Sequence, residues 1–147
     1  EPTKLISPTL NDGAEEISQP SEWVMQHLGP DVPLHFTAFH PDFKLQDKPP
    51  TPPETLHRAR QIARDAGLHY VYEGNIFSDA ASTRCPQCDT LLIRRSWHNV
   101  LENNLKNGAC PDCGLTIPGV WERDDHAPGT HSPGTAAVAH RYRHINL

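Results

Sequence analysis

Two Cys-x2-Cys pairs, Cys85-Pro-Gln-Cys88 and Cys110-Pro-Asp-Cys113, constrain the fold of this 147-residue chain more than any other feature. Each such turn aims backbone amides at two thiolates, and two turns together supply four tetrahedral ligands to one ion. The 21 residues between the pairs slightly exceed the usual gap of about 15–20, a difference that β-hairpin length absorbs. Leu91–Arg95 and Trp97–Leu101 read as the short strands of that hairpin, so the segment is expected to be a zinc ribbon. Two disulfides are disfavoured because nothing in the sequence indicates export. Duplicated thioredoxin-like redox pairs do not take this spacing. A rubredoxin-like site holding one iron is the rival, since a tetrahedral set of four thiolates suits either metal. With zinc the site is structural, leaves no coordination position open for catalysis, and makes folding of the module depend on its metal.

The remaining sequence does not supply one large core. Leu, Ile, Val and Phe account for 30 residues, 15 more are Pro, and no apolar run reaches the roughly 20 residues of a membrane span. No charged-then-apolar leader precedes the first element, so the chain is expected to be soluble, not exported and therefore cytoplasmic. Net charge is −6 over residues 1–80, +1 over 81–121 and 0 over 122–147. The ribbon thus lacks the basic excess of a phosphate-backbone binder, and nucleic acid is a disfavoured partner.

Upstream of the cysteines the pattern alternates. Lys4–Ser7 predicts a strand emptying into the turn Pro8–Gly13. A helix follows, with Asp12 as its N-cap, Ile17, Val24 and Leu28 on its apolar face, and a kink or restart at Ser21 because Pro20 lacks a donor. Val32–Phe39 predicts an interior strand with Leu34, Phe36 and Ala38 on one face. Thr51-Pro52-Pro53-Glu54 predicts a helix start with Thr51 as the cap and Pro52 in the first position. Leu56, Ala59, Ile62, Ala63 and Ala66 form that helix's stripe, and Gly67 ends it. His69–Tyr72 is the next strand, closing at Glu73-Gly74-Asn75. Strand, helix, strand, helix, strand is the order of parallel β/α units, whose ligands gather at the carboxyl ends of the strands. Pro8–Asp12, His40–Phe43 and Glu73–Ile76 are therefore candidate site loops. Three strands do not close a barrel, and the chain begins without Met, so it is expected to be cut from something longer. From Glu122 onward Pro, Gly, His and Ala without periodicity predict a disordered tail.

Other signals are weaker. His126, His131, His140 and His144 are tail positions without a packed surrounding to fix a ligand geometry. His35 reads as a strand wall residue, and His57 and His69 as surface positions. No phosphate loop, nucleophile elbow or Walker motif is present.

Five segments carry a family resemblance: Leu-Ile-Ser-Pro-Thr-Leu-Asn-Asp (5–12), His-Leu-Gly-Pro-Asp-Val-Pro-Leu-His-Phe-Thr-Ala-Phe-His-Pro-Asp (27–42), Pro-Pro-Thr-Pro-Pro-Glu-Thr-Leu (49–56), Gly-Leu-His-Tyr-Val-Tyr-Glu-Gly-Asn (67–75) and Ile-Pro-Gly-Val-Trp (117–121). In this order they resemble the radical S-adenosylmethionine proteins related to pyruvate formate-lyase activating enzyme, and within them the AmmeMemoRadiSam system subgroup. The resemblance spans residues 4–121. It implies an α/β fold: residues 1–76 as the carboxyl-terminal units of a partial (β/α) radical-SAM barrel and 77–121 as the four-cysteine zinc ribbon; it does not cover residues 122–147, the tail expected from composition. It also implies that His40 and Pro8 lie against S-adenosylmethionine, and that the full-length enzyme uses a [4Fe-4S] cluster to make a 5′-deoxyadenosyl radical for hydrogen abstraction from a protein or small-molecule substrate. The cluster motif, Cys-x3-Cys-x2-Cys, is absent here, and all four cysteines belong to the ribbon. The chain by itself is therefore expected to be inactive and to bind zinc through Cys85, Cys88, Cys110 and Cys113. A free-standing zinc-ribbon interaction module and a rubredoxin-like electron carrier are the alternatives.

Overall fold

A computed structural model describes residues 1–76, 78–96 and 99–121. The first half alternates as the sequence predicts: β1 (Thr3–Ile6), α1 (Ala14–Leu28), β2 (Leu34–Ala38), α2 (Pro53–Asp65) and β3 (Val71–Gly74). The three strands form an open parallel sheet with β2 central, Ile6 lying opposite Ala38 and Leu34 opposite Val71. Alternation along β2 sends Leu34, Phe36 and Ala38 to one face, where they meet Ile17 and Val24 of α1 and Leu56, Ala59 and Ala63 of α2. Both helices therefore cover the same face. On the other face His35 and Thr37 are half-buried and Leu5 is 48% exposed.

α1 is one continuous helix with Pro20 inside it, so of the kink or restart expected at Ser21 the restart does not occur. Pro20 removes the amide that would bond the Glu16 carbonyl, and Lys4 Nζ donates to that carbonyl in its place. Ser21, buried one residue on, donates its hydroxyl to the Ile17 carbonyl at 2.7 Å. The helix starts at Gly13, whose amide is held by the returning Glu16 carboxylate at 3.1 Å. Asp12, the expected cap, instead accepts from the Thr9 amide at 2.9 Å and shapes the preceding turn.

α2 is likewise shifted by one residue: Pro52 is the N-cap and Pro53 the first helical residue. Thr51 is drawn away from capping because its buried hydroxyl joins two strand ends, donating to the Ile6 carbonyl at 2.6 Å and accepting from the Phe39 amide at 2.9 Å. Gly67 ends the helix at φ +104°, a conformation that L side chains rarely take, and a Cβ there would meet Met25 at 3.3 Å.

Beyond a 3-10 turn at Asp79–Ala81 lies the second sheet, antiparallel and three-stranded: β4 (Thr83–Arg84), β5 (Leu91–Ser96) and β6 (Asn99–Asn103). Its own core gathers Leu92, Ile93 and Ile117 around Cys85 and Cys110, and Tyr70 reaches into it from the start of β3. No helix among the described residues is long and apolar enough to cross a membrane. The expected disordered tail, with His126, His131, His140 and His144, lies outside the described residues.

Candidate functional site

The two cysteine turns are built to one plan. In the first, the Cys85 amide donates to the Thr90 carbonyl at 2.9 Å and the Asp89 amide to the Cys85 carbonyl at 2.9 Å. In the second, the Cys110 amide donates to the Leu115 carbonyl at 2.9 Å and the Gly114 amide to the Cys110 carbonyl at 3.1 Å. The residue after each pair, Asp89 at φ 59° and Gly114 at φ 74°, takes the left-handed conformation that folds the turn back. Asp and Gly are among the few residue types that accept it readily. β5 and β6 then bring the turns face to face.

All four sulfur atoms lie within 4.8 Å of one another. Cys85 and Cys113 are 3.6 Å apart, as are Cys88 and Cys110. A tetrahedron with metal–sulfur bonds of about 2.3 Å has edges of about 3.8 Å, so the four thiols fit a single ion. None forms a disulfide. The four sequence-predicted ligands thus converge as a cluster able to hold a metal.

The thiols are electrostatically uneven. The Thr90 hydroxyl and then the Thr90 amide draw Cys88 down to about 6. That hydroxyl also lies 2.6 Å from an Asp112 carboxylate oxygen. Cys113 feels the Leu115 amide pulling downward, but burial and the three neighbouring thiols together push it up to about 12. Four thiols at this separation do not ionise together without a cation among them, and a divalent ion displaces the remaining protons on binding.

The cofactor candidates lie elsewhere. Pro8 is buried in the turn after β1, whose Leu10 and Asn11 amides both donate to the Ser7 carbonyl at 3.2 Å. His40 follows β2, is exposed, and has Nδ1 at 3.4 Å from the Asp42 carboxylate. Both stand at the carboxyl end of the parallel sheet, and Lys48 ties the loop after β2 to the loop after β1 through the Thr9 hydroxyl at 3.3 Å.

Neither lines the cavity of about 1240 Å³ that lies between the helix-free face of the parallel sheet and the ribbon. Its floor is the cross-strand pair His35 and Tyr72, with ring centroids 5.0 Å apart. From the ribbon, Arg95 lies over the Tyr72 ring at 5.8 Å and donates to the Thr83 hydroxyl at 2.6 Å, while Tyr72 Oη and Thr83 Oγ1 are 2.9 Å apart. Sequence reading missed Tyr70, Tyr72 and Arg95 as site residues. The available signal was the aromatic pair in the last strand and the Arg94-Arg95 pair between the cysteines. It also missed a role for His57, whose Nδ1 sits 2.8 Å from the carboxylate of Glu73, a buried residue that also accepts from Ser78 at 2.9 Å.

No protein-family model matches the chain, and no solved structure matches it. An uncharacterized protein of Methanocaldococcus jannaschii is 43% identical over 120 residues, which are 80% of this chain and 36% of that protein. The chain therefore spans about a third of the length of the curated relative that it matches.

Proposed function

We propose that this chain is the carboxyl-terminal part of a radical S-adenosylmethionine enzyme resembling the activators of glycyl-radical enzymes, with β1–β3 as closing strands of a partial barrel and the ribbon as a structural zinc module. The observation that carries the reading is the one-sided sheet. Parallel strands are ordinarily covered by helices on both faces, yet here both helices lie on one face, and on the other the ribbon meets the β3 side at Tyr72 while Leu5 of β1 stays exposed. Such a sheet suits a barrel wall, helices outside and the second face turned toward a lumen. The greater length of the matching relative leaves room for the other strands.

The residues present fit zinc and do not fit the cluster. Sulfur separations of 3.6 Å suit one central ion, whereas four irons would hold the thiolates farther apart. The cluster would have to be held by residues outside this chain, and when bound it would supply the electron that cleaves S-adenosylmethionine. What this chain contributes is position. Thr51 pins the ends of β1 and β2, fixing the turns that present Pro8 and His40 to the adenosine side. A cytoplasmic, reducing setting keeps the four thiols available for metal.

Two measurements test this. Metal analysis of the purified chain is expected to return one zinc and no visible absorption; one iron with a thiolate-to-iron band would move the site to electron transfer. The full-length protein, reconstituted without oxygen, is expected to release 5′-deoxyadenosine from S-adenosylmethionine, and the His40→Ala variant to require more cofactor. A full-length protein that assembles no cluster and releases none overturns the reading.

A further inference from the structure

We propose that Cys88 is a redox modification site: a small uncharged peroxide oxidises its sulfur, Cys110 resolves the product as a disulfide, and the ribbon gives up its metal. The inference rests on the metal reading of the four thiols and is independent of the barrel.

The four sulfur-bearing residues are not equally placed. Cys85 and Cys110 are 2% and 3% exposed and Cys113 is half-buried, whereas Cys88 is exposed. Cys85 and Cys110 open their turns and belong to the ribbon core beside Leu92, Ile93 and Ile117. Cys88 closes its turn between two residues that are themselves exposed, Gln87 and Asp89. A reagent arriving from water therefore meets one cysteine of the four first, and a thiolate is the form of cysteine that acts both as metal ligand and as nucleophile. A resolving partner is at hand. The Cys110 sulfur stands 3.6 Å away on the other turn, while Cys85 has a different neighbour at that distance, Cys113. A disulfide asks the Cys88–Cys110 pair to close by about 1.6 Å.

In the first step the Cys88 thiolate attacks one oxygen of hydrogen peroxide. The O–O bond breaks, the sulfur is oxidised by two electrons to a sulfenic acid, and the departing hydroxide takes a proton to become water. In the second the Cys110 thiolate attacks the oxidised sulfur; the S–S bond forms as the S–O bond breaks, and a second hydroxide leaves as water. Two thiolates, one peroxide and two protons thus become one disulfide and two waters. Cys85 and Cys113 alone do not complete a tetrahedral site, so the zinc departs. In a reducing compartment thiols reverse the disulfide and the metal returns, the transient behaviour of a redox-sensing pair.

Charge selects the reagent. The Thr90 hydroxyl lies 3.2 Å from the Cys88 sulfur and 2.6 Å from an Asp112 carboxylate oxygen, which places that carboxylate within about 6 Å of the sulfur. Asp89, the flanking acid, has Arg84 at 3.5 Å. At such a range in water the Asp112 charge slows an anionic reagent about threefold and leaves a neutral one unaffected.

The test uses the zinc-loaded chain with its metal content measured beforehand, so that a failed metal reading is recognised separately. Hydrogen peroxide is expected to release the zinc to a chromogenic chelator in step with the loss of two thiols, and dithiothreitol with added zinc to restore both. Peptide mass analysis is expected to find Cys88 joined to Cys110, and dimedone present during oxidation to mark Cys88 as the sulfenic acid. Limiting iodoacetamide is expected to alkylate Cys88 about tenfold faster than Cys85 or Cys110. Asp112→Asn keeps all four ligands; it is expected to speed iodoacetate, which is anionic, about threefold and to leave iodoacetamide unchanged. Zinc retained under peroxide that fully oxidises free glutathione, a first adduct on another cysteine, a Cys85–Cys88 disulfide in place of Cys88–Cys110, or an iodoacetate rate unchanged in Asp112→Asn overturns the inference.

Discussion

Removing the metal is expected to unfold the ribbon and spare the parallel sheet. The ribbon core contains three buried aliphatic side chains, Leu92, Ile93 and Ile117. At about 1.5–3 kcal/mol each they contribute together roughly 5–9 kcal/mol. A four-ligand structural zinc site contributes about 10–16 kcal/mol at neutral pH, more than all of that burial. The parallel sheet rests on a separate cluster of eleven buried residues, from Ile6 to Val71, that includes no cysteine. Amide hydrogen exchange read residue by residue, before and after chelation, separates the two. Protection at Leu92, Ile93 and Asn103 should fall to that of an open chain, while Phe36, Thr37 and Ala63 keep theirs. Tyr70 and Val71, where β3 meets the ribbon core, should lose part of theirs. If β5 and β6 keep full protection in a sample shown by mass to be metal-free, the ribbon is held by its apolar contacts and the energetic reasoning is wrong.

The other predictions concern single contacts. Thr51→Val keeps the shape but removes the hydroxyl that bonds both the Phe39 amide and the Ile6 carbonyl, which keep their own bond to each other at 3.1 Å, so urea unfolding should show a loss of about 1–2 kcal/mol. Pro20→Ala restores the missing helical bond and should raise stability by about 1–3 kcal/mol. Lys4→Met should destabilise the parent chain by about 1 kcal/mol and have almost no effect beside Pro20→Ala, because the Glu16 carbonyl then has its own amide; equal effects in both backgrounds would rule the substitution out. Burial, then Asp31, raises the Tyr70 hydroxyl to about 12 from its ordinary 10. A raised folded value means the stability is whole below pH 10 and declines as pH climbs toward 12. Tyr70→Phe should abolish that alkaline decline, as followed by near-ultraviolet dichroism.

Much of this was legible from residue spacing alone, for reasons particular residues make plain. The metal cluster was readable because its chemistry needs thiols at fixed short spacing, and a hairpin that rejoins two such turns leaves little freedom in where the sulfurs go. β2 was readable because Leu34, Phe36 and Ala38 alternate with residues that end up half-buried. What escaped depended on partners distant in sequence. Pro20 breaks a helix only while the Glu16 carbonyl stays unbonded, and the ammonium that satisfies it comes from Lys4, on a neighbouring strand. Thr51 carries every local mark of a cap, yet two strand ends compete for its hydroxyl and win because they are buried and it is their bridge. The junction cavity was the least legible feature, since Tyr70, Tyr72 and Arg95 meet only after two separately cored sheets are set side by side. The same dependence gives the ribbon a second consequence beyond metal binding. Arg95, Thr83 and the wall facing His35 and Tyr72 are ribbon residues, so a metal that orders the ribbon also assembles one side of the cavity. Chelation should therefore free Tyr72, which Thr83 and Arg95 hold from the ribbon side, together with loss of the protection of β5.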